Sequence, residues 1–178
     1  MKYLERASTL LTLVEQLKEV GSWCGETHFQ KSTYFLQEML GVPLAFHFVL
    51  YKHGPYSFDL ADFVTEMRAD ELVGIEPQYP YGVSINPTPN AQRVFELCPA
   101  PRQQYGAPVS FLARRLGHLG ATDLEKQATA FWVFRECPQC QAEERANRLS
   151  ELKPHVTLQE SRRAVVDVEK LQREAKQL

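Results

Sequence analysis

The residues best suited to chemistry are two cysteines, Cys137 and Cys140, which are separated by a proline and a glutamine. Two thiolates at this spacing can bind one zinc ion together or form a redox-active disulfide. A structural zinc site needs two further ligands, and the nearest candidate, His155, has no second ligand beside it. A thioredoxin-like motif would follow a strand, whereas a helix is predicted before Cys137. The pattern therefore favours an ordinary turn between two helices over a metal site or a redox site.

A second set of polar residues surrounds the end of a predicted strand. His47 and His53 lie near Asp59 and Asp62 in the sequence, and an imidazole base beside a carboxylate can support hydrolysis. The sequence contains no nucleophile elbow, phosphate-binding loop or paired metal-binding motif to complete such a site. We therefore expect two ordinary histidines. The sequence predicts a protein that is not an enzyme, with no catalytic residue, no cofactor and no bound metal.

The element that positions these histidines is a short strand followed at once by a helix. Residues 42–51 are rich in Phe, Val, Leu and Tyr, and their alternation predicts a half-buried strand. Gly54 and Pro55 end that strand, because proline fixes its own φ and disfavours the helical region for the residue before it. Ser57 is a suitable N-cap for a helix over residues 58–70.

The helix predicted over residues 58–70 is acidic on its polar face. Asp59, Asp62, Glu66 and Asp70 stand there against a single arginine. In a DNA-binding winged helix, the third helix enters the major groove and contacts bases and phosphates. A duplex carries one negative charge per roughly 1.7 Å of its axis. The carboxylates would therefore oppose the ordinary mode of DNA binding.

The first half of the chain has the element order of a winged helix. Helical periodicity covers residues 3–20, and a capping-box pattern of Thr27 and Gln30 predicts the start of a second helix. After the strand and the acidic helix, two extended runs joined by a turn-rich segment predict a β-hairpin, the wing. We expect the first strand to pair with this hairpin. The predicted fold class is mostly helical α+β, with a winged-helix-like domain and a small antiparallel sheet in residues 1–97.

The second half of the chain is predicted to be a helical extension. Residues 98–108 are dense in proline and glycine and are predicted as a linker, and residues 109–178 are predicted as helices. The last helix begins with a capping-box pattern of Thr157 and Glu160 and carries apolar residues at near-heptad spacing. Either another helix of the same chain or the same helix of a second chain must cover this stripe. The sequence slightly favours the homodimer.

The composition fits a globular chain that can bury a core. The chain has 178 residues, a hydrophobic content of 44% and a formal net charge of −2. This charge gives no global electrostatic reason to bind nucleic acid. Four cysteines are too few for a disulfide scaffold, and the amino terminus lacks the shape of a signal peptide. Because no run is long and apolar enough to cross a membrane, we expect a cytoplasmic protein without a membrane partner.

Three segments of the first half resemble a known family. They are residues 29–31 (Phe-Gln-Lys), residues 34–37 (Tyr-Phe-Leu-Gln) and residues 51–57 (Tyr-Lys-His-Gly-Pro-Tyr-Ser), followed by an amphipathic helix. This pattern is similar to the YwgA-like proteins of bacteria and archaea and, more distantly, to the Panacea (SocA-like) antitoxin domains. The resemblance implies a small winged-helix-like or helical fold and a function as an antitoxin or near phage-defence genes. It brings no catalytic residues.

Together, these observations predict a non-enzymatic winged-helix protein that binds another protein, as an antitoxin-like or phage-defence-associated regulator would. Exposed tyrosines suit this function because their rings anchor interfaces. The alternative is a sequence-specific DNA-binding transcriptional regulator that dimerises through its C-terminal helices. The predicted partner-binding residues are Lys52, His53, Tyr56, Ser57, Tyr79 and Tyr81.

Overall fold

The computed structural model describes residues 1–79 and 82–178 and has a mostly helical α+β fold. Within these residues there are eight helices and four strands, and the strands form two separate two-stranded antiparallel sheets. The predicted fold class is therefore confirmed. In chain order the elements are α1 (Tyr3–Glu19), α2 (Glu26–Glu38), β1 (Val49–Tyr51), β2 (Gly54–Tyr56), α3 (Phe58–Ala69), β3 (Val73–Gln78), β4 (Gly82–Pro87), α4 (Ala91–Leu97), α5 (Ala100–Leu116), α6 (Ala121–Glu136), α7 (Ala142–Leu152) and α8 (Leu158–Ala175).

Helix α1 contributes much of the core and lies where its periodicity predicts. Leu10, Leu11, Val14 and Leu17 recur at helical spacing and are fully buried. Gly21 follows the end of the helix with a φ of +83°, a conformation that residues with a side chain rarely adopt. A glycine in this conformation is a common end of a helix.

The linker predicted at residues 98–108 is wrong, because most of that segment belongs to helix α5. Pro101 lies in the first turn of α5, where a missing N–H costs no hydrogen bond within the helix. Pro108 lies inside the helix, where proline is normally costly, but Val109 and Leu112 beyond it are fully buried. Helix α5 packs along α1, so the hydrophobic core continues from the first helix into the second half of the chain.

The long strand predicted at residues 42–51 is shorter in the structure and has a different partner. Only Val49–Tyr51 forms β1, and it pairs with β2 at Gly54–Tyr56. Lys52 and His53 form the turn of this hairpin, which we call the first hairpin. The expected pairing of the first strand with the wing is therefore wrong, because the chain turns back onto β1 before it enters α3.

The predicted wing is present as the hairpin of β3 and β4. The two strands pair in antiparallel register, with Ile75 opposite Ile85. The N–H of Ile85 donates to the carbonyl oxygen of Cys24 at 3.0 Å. This bond attaches the wing to the segment that connects α1 and α2.

Two predicted helix starts have different outcomes. The N-cap of α2 is Gly25 and not the predicted Thr27. The sequence pattern missed it because a glycine N-cap offers no side chain that such a pattern could detect. The capping box of α8 is confirmed. The Thr157 hydroxyl accepts from the Glu160 N–H, and the Glu160 carboxylate accepts from the Thr157 N–H.

Helix α8 packs on its own chain. Its apolar stripe is buried at Ala164, Val165, Val168 and Leu171, and the helix lies against α6 and α7. The stripe is therefore covered within one molecule. The prediction of a homodimer required this stripe to be exposed, and in the structure it is not.

Among the described residues, no helix combines the length and the apolar character that crossing a membrane would require.

Candidate functional site

The first hairpin is held in place by side chains of helix α2. The carboxamide of Gln30 accepts from the Ser57 N–H at 3.0 Å and donates to the Ser57 carbonyl oxygen at 2.9 Å. Gln30 thus satisfies both backbone groups, as a neighbouring strand would. The Ser57 hydroxyl accepts from the Leu60 N–H and caps α3, as predicted. Because Ser57 is fully buried, its predicted place on an exposed partner-binding surface is wrong.

Lys31 is a buried lysine beside Gln30. It is 2% exposed, and its terminal nitrogen donates to the Pro55 carbonyl oxygen at 2.8 Å. Burial lowers the pKa of Lys31 from its ordinary value of 10.5 to about 8, although the nearby Glu125 favours the charged form. Adjacent residues of α2 therefore hold two positions of the hairpin backbone.

Glu125 of helix α6 lies close to three basic side chains around the turn of the hairpin. Its oxygens lie 3.0 Å from the Lys153 ammonium, 3.3 Å from His53 Nδ1 and 3.8 Å from His155 Nε2. Burial alone would raise the pKa of Glu125, but Lys153 and His53 hold it below its ordinary value. Lys153 also donates to the carbonyl oxygen of Lys52. The turn is thereby attached to α6 and to the end of α7.

Gly54 allows the hairpin to approach α6 closely. Its φ is +85°, and a Cβ atom at this position would lie 2.9 Å from the Thr129 hydroxyl oxygen. Both the backbone conformation and the lack of space exclude a side chain. The glycine is therefore required by packing against α6 as well as by the turn itself.

Three aromatic rings cover the outer side of the first hairpin. The centroids of Tyr51, Tyr56 and Phe58 lie between 5.1 and 6.0 Å apart. Tyr51 is 56% exposed and Phe58 is 54% exposed. The Tyr56 hydroxyl donates to Glu26 at 2.8 Å, and burial together with this bond raises the pKa of Tyr56 to about 12. These rings form an apolar surface on the outer side of the hairpin.

Two neighbouring cavities lie here, one beside the rings and one along α3. The first has a volume of about 260 Å³ and is lined by the three rings. The second has a volume of about 220 Å³ and lies between α3 and the wing. Glu26 and Gln30 line both cavities, so the two are neighbours at the start of α2. We call this surface the α3 groove; its lining residues are Glu26, Thr27, Phe29, Gln30, Lys31, Tyr51, His53, Tyr56, Phe58, Ala61, Val64, Thr65, Arg68, Ile75, Val83 and Ile85.

The acidic side chains of α3 are exposed on a different side of the helix from the groove-lining Val64 and Arg68. Asp59, Asp62 and Glu66 are spaced so that they lie along one side of the helix. Within residues 1–79 and 82–178, none of the three forms an ion pair with a basic side chain. Their charge is therefore available to a partner.

The remaining predicted partner-binding residues divide between two hairpins. Lys52 and His53 are exposed in the turn of the first hairpin, and Tyr56 is half-buried beside them. Tyr79 follows β3 and is 97% exposed. Tyr81 lies outside the described residues. The structure thus brings three of these residues together and leaves Tyr79 on the wing.

Sequence reasoning missed three charged residues that support the first hairpin. Lys31 had a signal, because it stands in one of the segments that carry the family resemblance. Glu125 and Lys153 had none, since they approach the hairpin from helices that follow much later in the chain.

Cys137 and Cys140 lie between α6 and α7, as predicted, and a disulfide joins them. The ligand atoms of the two cysteines and of Glu144 lie within 4.8 Å of one another. In the reduced state these three residues offer a cation three ligands, one fewer than a structural zinc site requires. His155, which the sequence suggested as a further ligand, lies beside Glu125 instead.

A comparison of the sequence with models of protein families finds no match, and a comparison with curated proteins finds none either. Function is therefore inferred from the groove itself and from the resemblance stated above.

Proposed function

We propose that this protein is a non-enzymatic protein-binding module whose partner occupies the α3 groove. The observation that carries the proposal is the group of Tyr51, Tyr56 and Phe58 beside a cavity, with Tyr51 and Phe58 more than half exposed. Aromatic side chains at a pocket are common anchors of protein interfaces. The resemblance to the YwgA-like proteins and the Panacea antitoxin domains agrees with this function. It favours an antitoxin-like or phage-defence-associated regulator that acts in the cytoplasm.

The support beneath the first hairpin favours binding over catalysis. Gln30, Lys31 and Lys153 each donate to a backbone carbonyl oxygen of the segment that carries the rings. Their polar groups are thus engaged in holding the backbone. A surface held in this way loses little conformational freedom when a partner binds, which favours affinity.

The alternative function, sequence-specific DNA binding, is opposed by charge. The third helix of a winged helix reads the bases, and here that helix exposes Asp59, Asp62 and Glu66. Several arginines of the C-terminal helices are engaged in ion pairs with glutamates. We expect no tight binding to duplex DNA near physiological salt in a gel-shift assay. Salt-sensitive, sub-micromolar binding to the DNA upstream of its own gene would instead support the alternative.

The proposal is tested by capturing partners from cells of the native host with the tagged full-length chain. The test variant combines Tyr51→Ala with Phe58→Ala, which removes the two most exposed rings of the site. The control variant is Leu97→Ala, because Leu97 is 65% exposed at the end of α4, outside the α3 groove.

The expected result is a protein partner that the wild type and the Leu97 variant retain and the double variant loses. Circular dichroism of all three proteins confirms that they are folded. Equal capture by the folded double variant would contradict the proposed site.

A further inference from the structure

We propose that Cys137, Cys140 and Glu144 bind one zinc ion when the two cysteines are reduced, with one coordination position left to water. The site lies between α6 and α7, apart from the α3 groove. The inference therefore goes beyond the proposed function and does not depend on it. It rests on the placement of three ligand atoms and on a turn that other contacts hold in shape.

The three ligands come from the turn between α6 and α7 and from the first turn of α7. Cys137 directly follows the last residue of α6, and Cys140 stands two residues before the first residue of α7. Glu144 is the third residue of α7. The two sulfur atoms and a carboxylate oxygen lie within 4.8 Å of one another. The sequence predicted no metal because it offered only the cysteine pair, and the structure adds a third ligand.

The turn is held by contacts other than the disulfide. The Cys140 N–H donates to the Cys137 carbonyl oxygen at 3.2 Å. Arg145, which is 7% exposed, donates to the Pro138 carbonyl oxygen at 2.6 Å and pairs with Glu169 of α8 at 3.2 Å. Because these contacts do not use the sulfur atoms, reduction of the disulfide leaves them in place. We therefore expect the two sulfurs to stay side by side after reduction.

The donor set and its spacing fit zinc. In a tetrahedral site with zinc–sulfur bonds of about 2.3 Å, two sulfur atoms lie about 3.8 Å apart. The Cα atoms of the two cysteines are 5.4 Å apart, so rotation of the side chains can give this separation. Thiolates disfavour Mg²⁺ and Ca²⁺, and a carboxylate disfavours copper(I). Zinc accepts both kinds of ligand.

Burial gives the two thiolates a reason to bind a cation. Each cysteine is 7% exposed, whereas Glu144 is exposed. Two thiolates that are mostly shielded from water are costly unless an opposite charge accompanies them. A zinc ion would supply that charge, and Glu144 would bind it from the exposed side. Water would take the fourth position, as in other zinc sites with three protein ligands.

The disulfide and the zinc ion exclude each other, because each uses both sulfur atoms. When oxidised glutathione reacts with the zinc-bound form, the two thiolates lose two electrons and join in the disulfide, and the reagent is reduced to two glutathione thiolates. The zinc ion is then released. In a reducing compartment the cysteines stay reduced, so the zinc-bound form is expected there.

The test measures metal binding by the full-length protein. The protein is reduced with a phosphine, freed of metal and titrated with Co²⁺ in the absence of oxygen. Cobalt substitutes for zinc, and thiolate ligands give it a charge-transfer absorption. Zn²⁺ then displaces the cobalt, and a competing chelator gives the Kd for zinc. Elemental analysis measures the stoichiometry, and light scattering measures the oligomeric state.

Each ligand has a matched control in the chain. Cys137→Ser and Cys140→Ser are compared with Cys98→Ser, because Cys98 is a free cysteine. Glu144→Gln is compared with Glu151→Gln, because both glutamates are exposed on α7. Circular dichroism confirms that the variants are folded. Since Glu144→Gln changes an exposed side chain, it tests the site even if a cysteine variant fails to fold.

The expected result is one zinc ion per monomeric chain, with the cobalt charge-transfer absorption in the wild type and in both controls. Either cysteine variant should lose this absorption, and Glu144→Gln should weaken zinc binding at least about tenfold. The wild type with its disulfide formed should bind no metal, and oxidised glutathione should release bound zinc.

Three outcomes would overturn the inference. The first is a reduced, folded wild type without the cobalt absorption. The second is a zinc affinity that Glu144→Gln leaves unchanged. The third is half a zinc ion per chain in a dimer, which would mean that two copies share the ion through four thiolates.

Discussion

Gln30 and Gln37, about two turns apart on α2, make the same pair of hydrogen bonds to different parts of the chain. Gln37 bonds the N–H and the carbonyl oxygen of Phe46, each at 2.8 Å, as Gln30 bonds those of Ser57. Each carboxamide thus supplies the donor and the acceptor that a paired strand would supply. The segment that carries the first hairpin is therefore anchored to α2 at both ends.

Replacing Gln30 with alanine is expected to destabilise the fold by about 2–4 kcal/mol, because the buried N–H and carbonyl groups of Ser57 would both lose their partner. Gln92→Ala is the control, since Gln92 is exposed on α4, and it should change stability by less than about 0.5 kcal/mol. Urea unfolding measures both values. Similar unfolding midpoints for the two variants would show that Gln30 does not hold the hairpin.

Lys31 makes stability depend on pH in an alkaline window. The unfolded chain keeps a proton on this amine up to its ordinary pKa of 10.5, whereas the folded-state pKa is about 8. Between these values unfolding takes up a proton, so the free energy of unfolding contributed by Lys31 rises with pH. Below pH 8 both states are protonated and the contribution is flat.

The measurement compares wild type and Lys31→Met by urea unfolding at pH values across this window. Groups that do not interact with Lys31 titrate alike in both proteins and cancel in the difference. We expect the stability of the wild type relative to the variant to rise with pH by about 3 kcal/mol at most. Lys52→Met, which removes an exposed lysine, is the control. A flat difference for Lys31→Met would mean that the buried amine keeps its ordinary pKa.

Helix α5 shows how tertiary packing overrides a local signal. By composition, the three prolines and one glycine within residues 98–108 predict a linker. The helix forms nevertheless, because burial of Val109, Leu112 and Leu116 on the core offsets the cost of an interior proline.

Pro108→Ala is therefore expected to stabilise the protein by about 1–3 kcal/mol, since alanine restores the N–H that proline lacks inside a helix. Pro101→Ala is the control. Pro101 lies in the first turn, where no intrahelical bond is missing, so this change should bring no gain. Thermal unfolding followed by circular dichroism measures both variants. A lower melting temperature for Pro108→Ala would show that the proline ring contributes packing that outweighs the missing bond.

Elements with strong local signals could be predicted from the sequence, and elements defined by distant contacts could not. Helix α1, the acidic helix α3 and the capping box at Thr157 follow from spacing within one segment. The pairing of β1 with β2 did not, because the two-residue turn at Lys52 and His53 has no glycine or asparagine of the usual hairpin type.

The candidate site was predicted only in part for the same reason. Lys52, His53 and Tyr56 stand within one short segment and could be named together. Glu125 and Lys153 contact that segment from 72 and 101 residues away, so their role depends on how α6 and α7 pack. Ser57 was predicted to lie at a partner-binding surface, and the structure shows that it is buried.

At the scale of the whole molecule, α8 completes the hydrophobic core to which α1 also contributes. Its stripe at Val165 and Val168 lies against α6 and α7, and Arg115 of α5 pairs with Glu174 near its end at 2.8 Å. The near-heptad spacing of α8 therefore serves packing within one chain, since a helix bundle and a coiled coil place similar demands on apolar spacing.

We expect the full-length chain to be a monomer in light scattering, because its apolar stripe is already covered. Removing residues 156–178 should expose the apolar faces of α6 and α7 and abolish cooperative unfolding. Tryptophan fluorescence during urea unfolding measures the second effect. A full-length dimer that becomes a folded monomer on truncation would instead restore the prediction made from the sequence.

The attachment of the first hairpin to Lys153 also has a consequence for synthesis. Lys153 follows Lys52, whose carbonyl oxygen it binds, by 101 residues. At about 5–20 residues per second, translation needs roughly 5–20 s to cover that distance. Before α6 leaves the ribosome, a nascent chain carries the aromatic rings of the first hairpin on a backbone that α2 alone can anchor, so the rings are open to premature contacts for much of this interval.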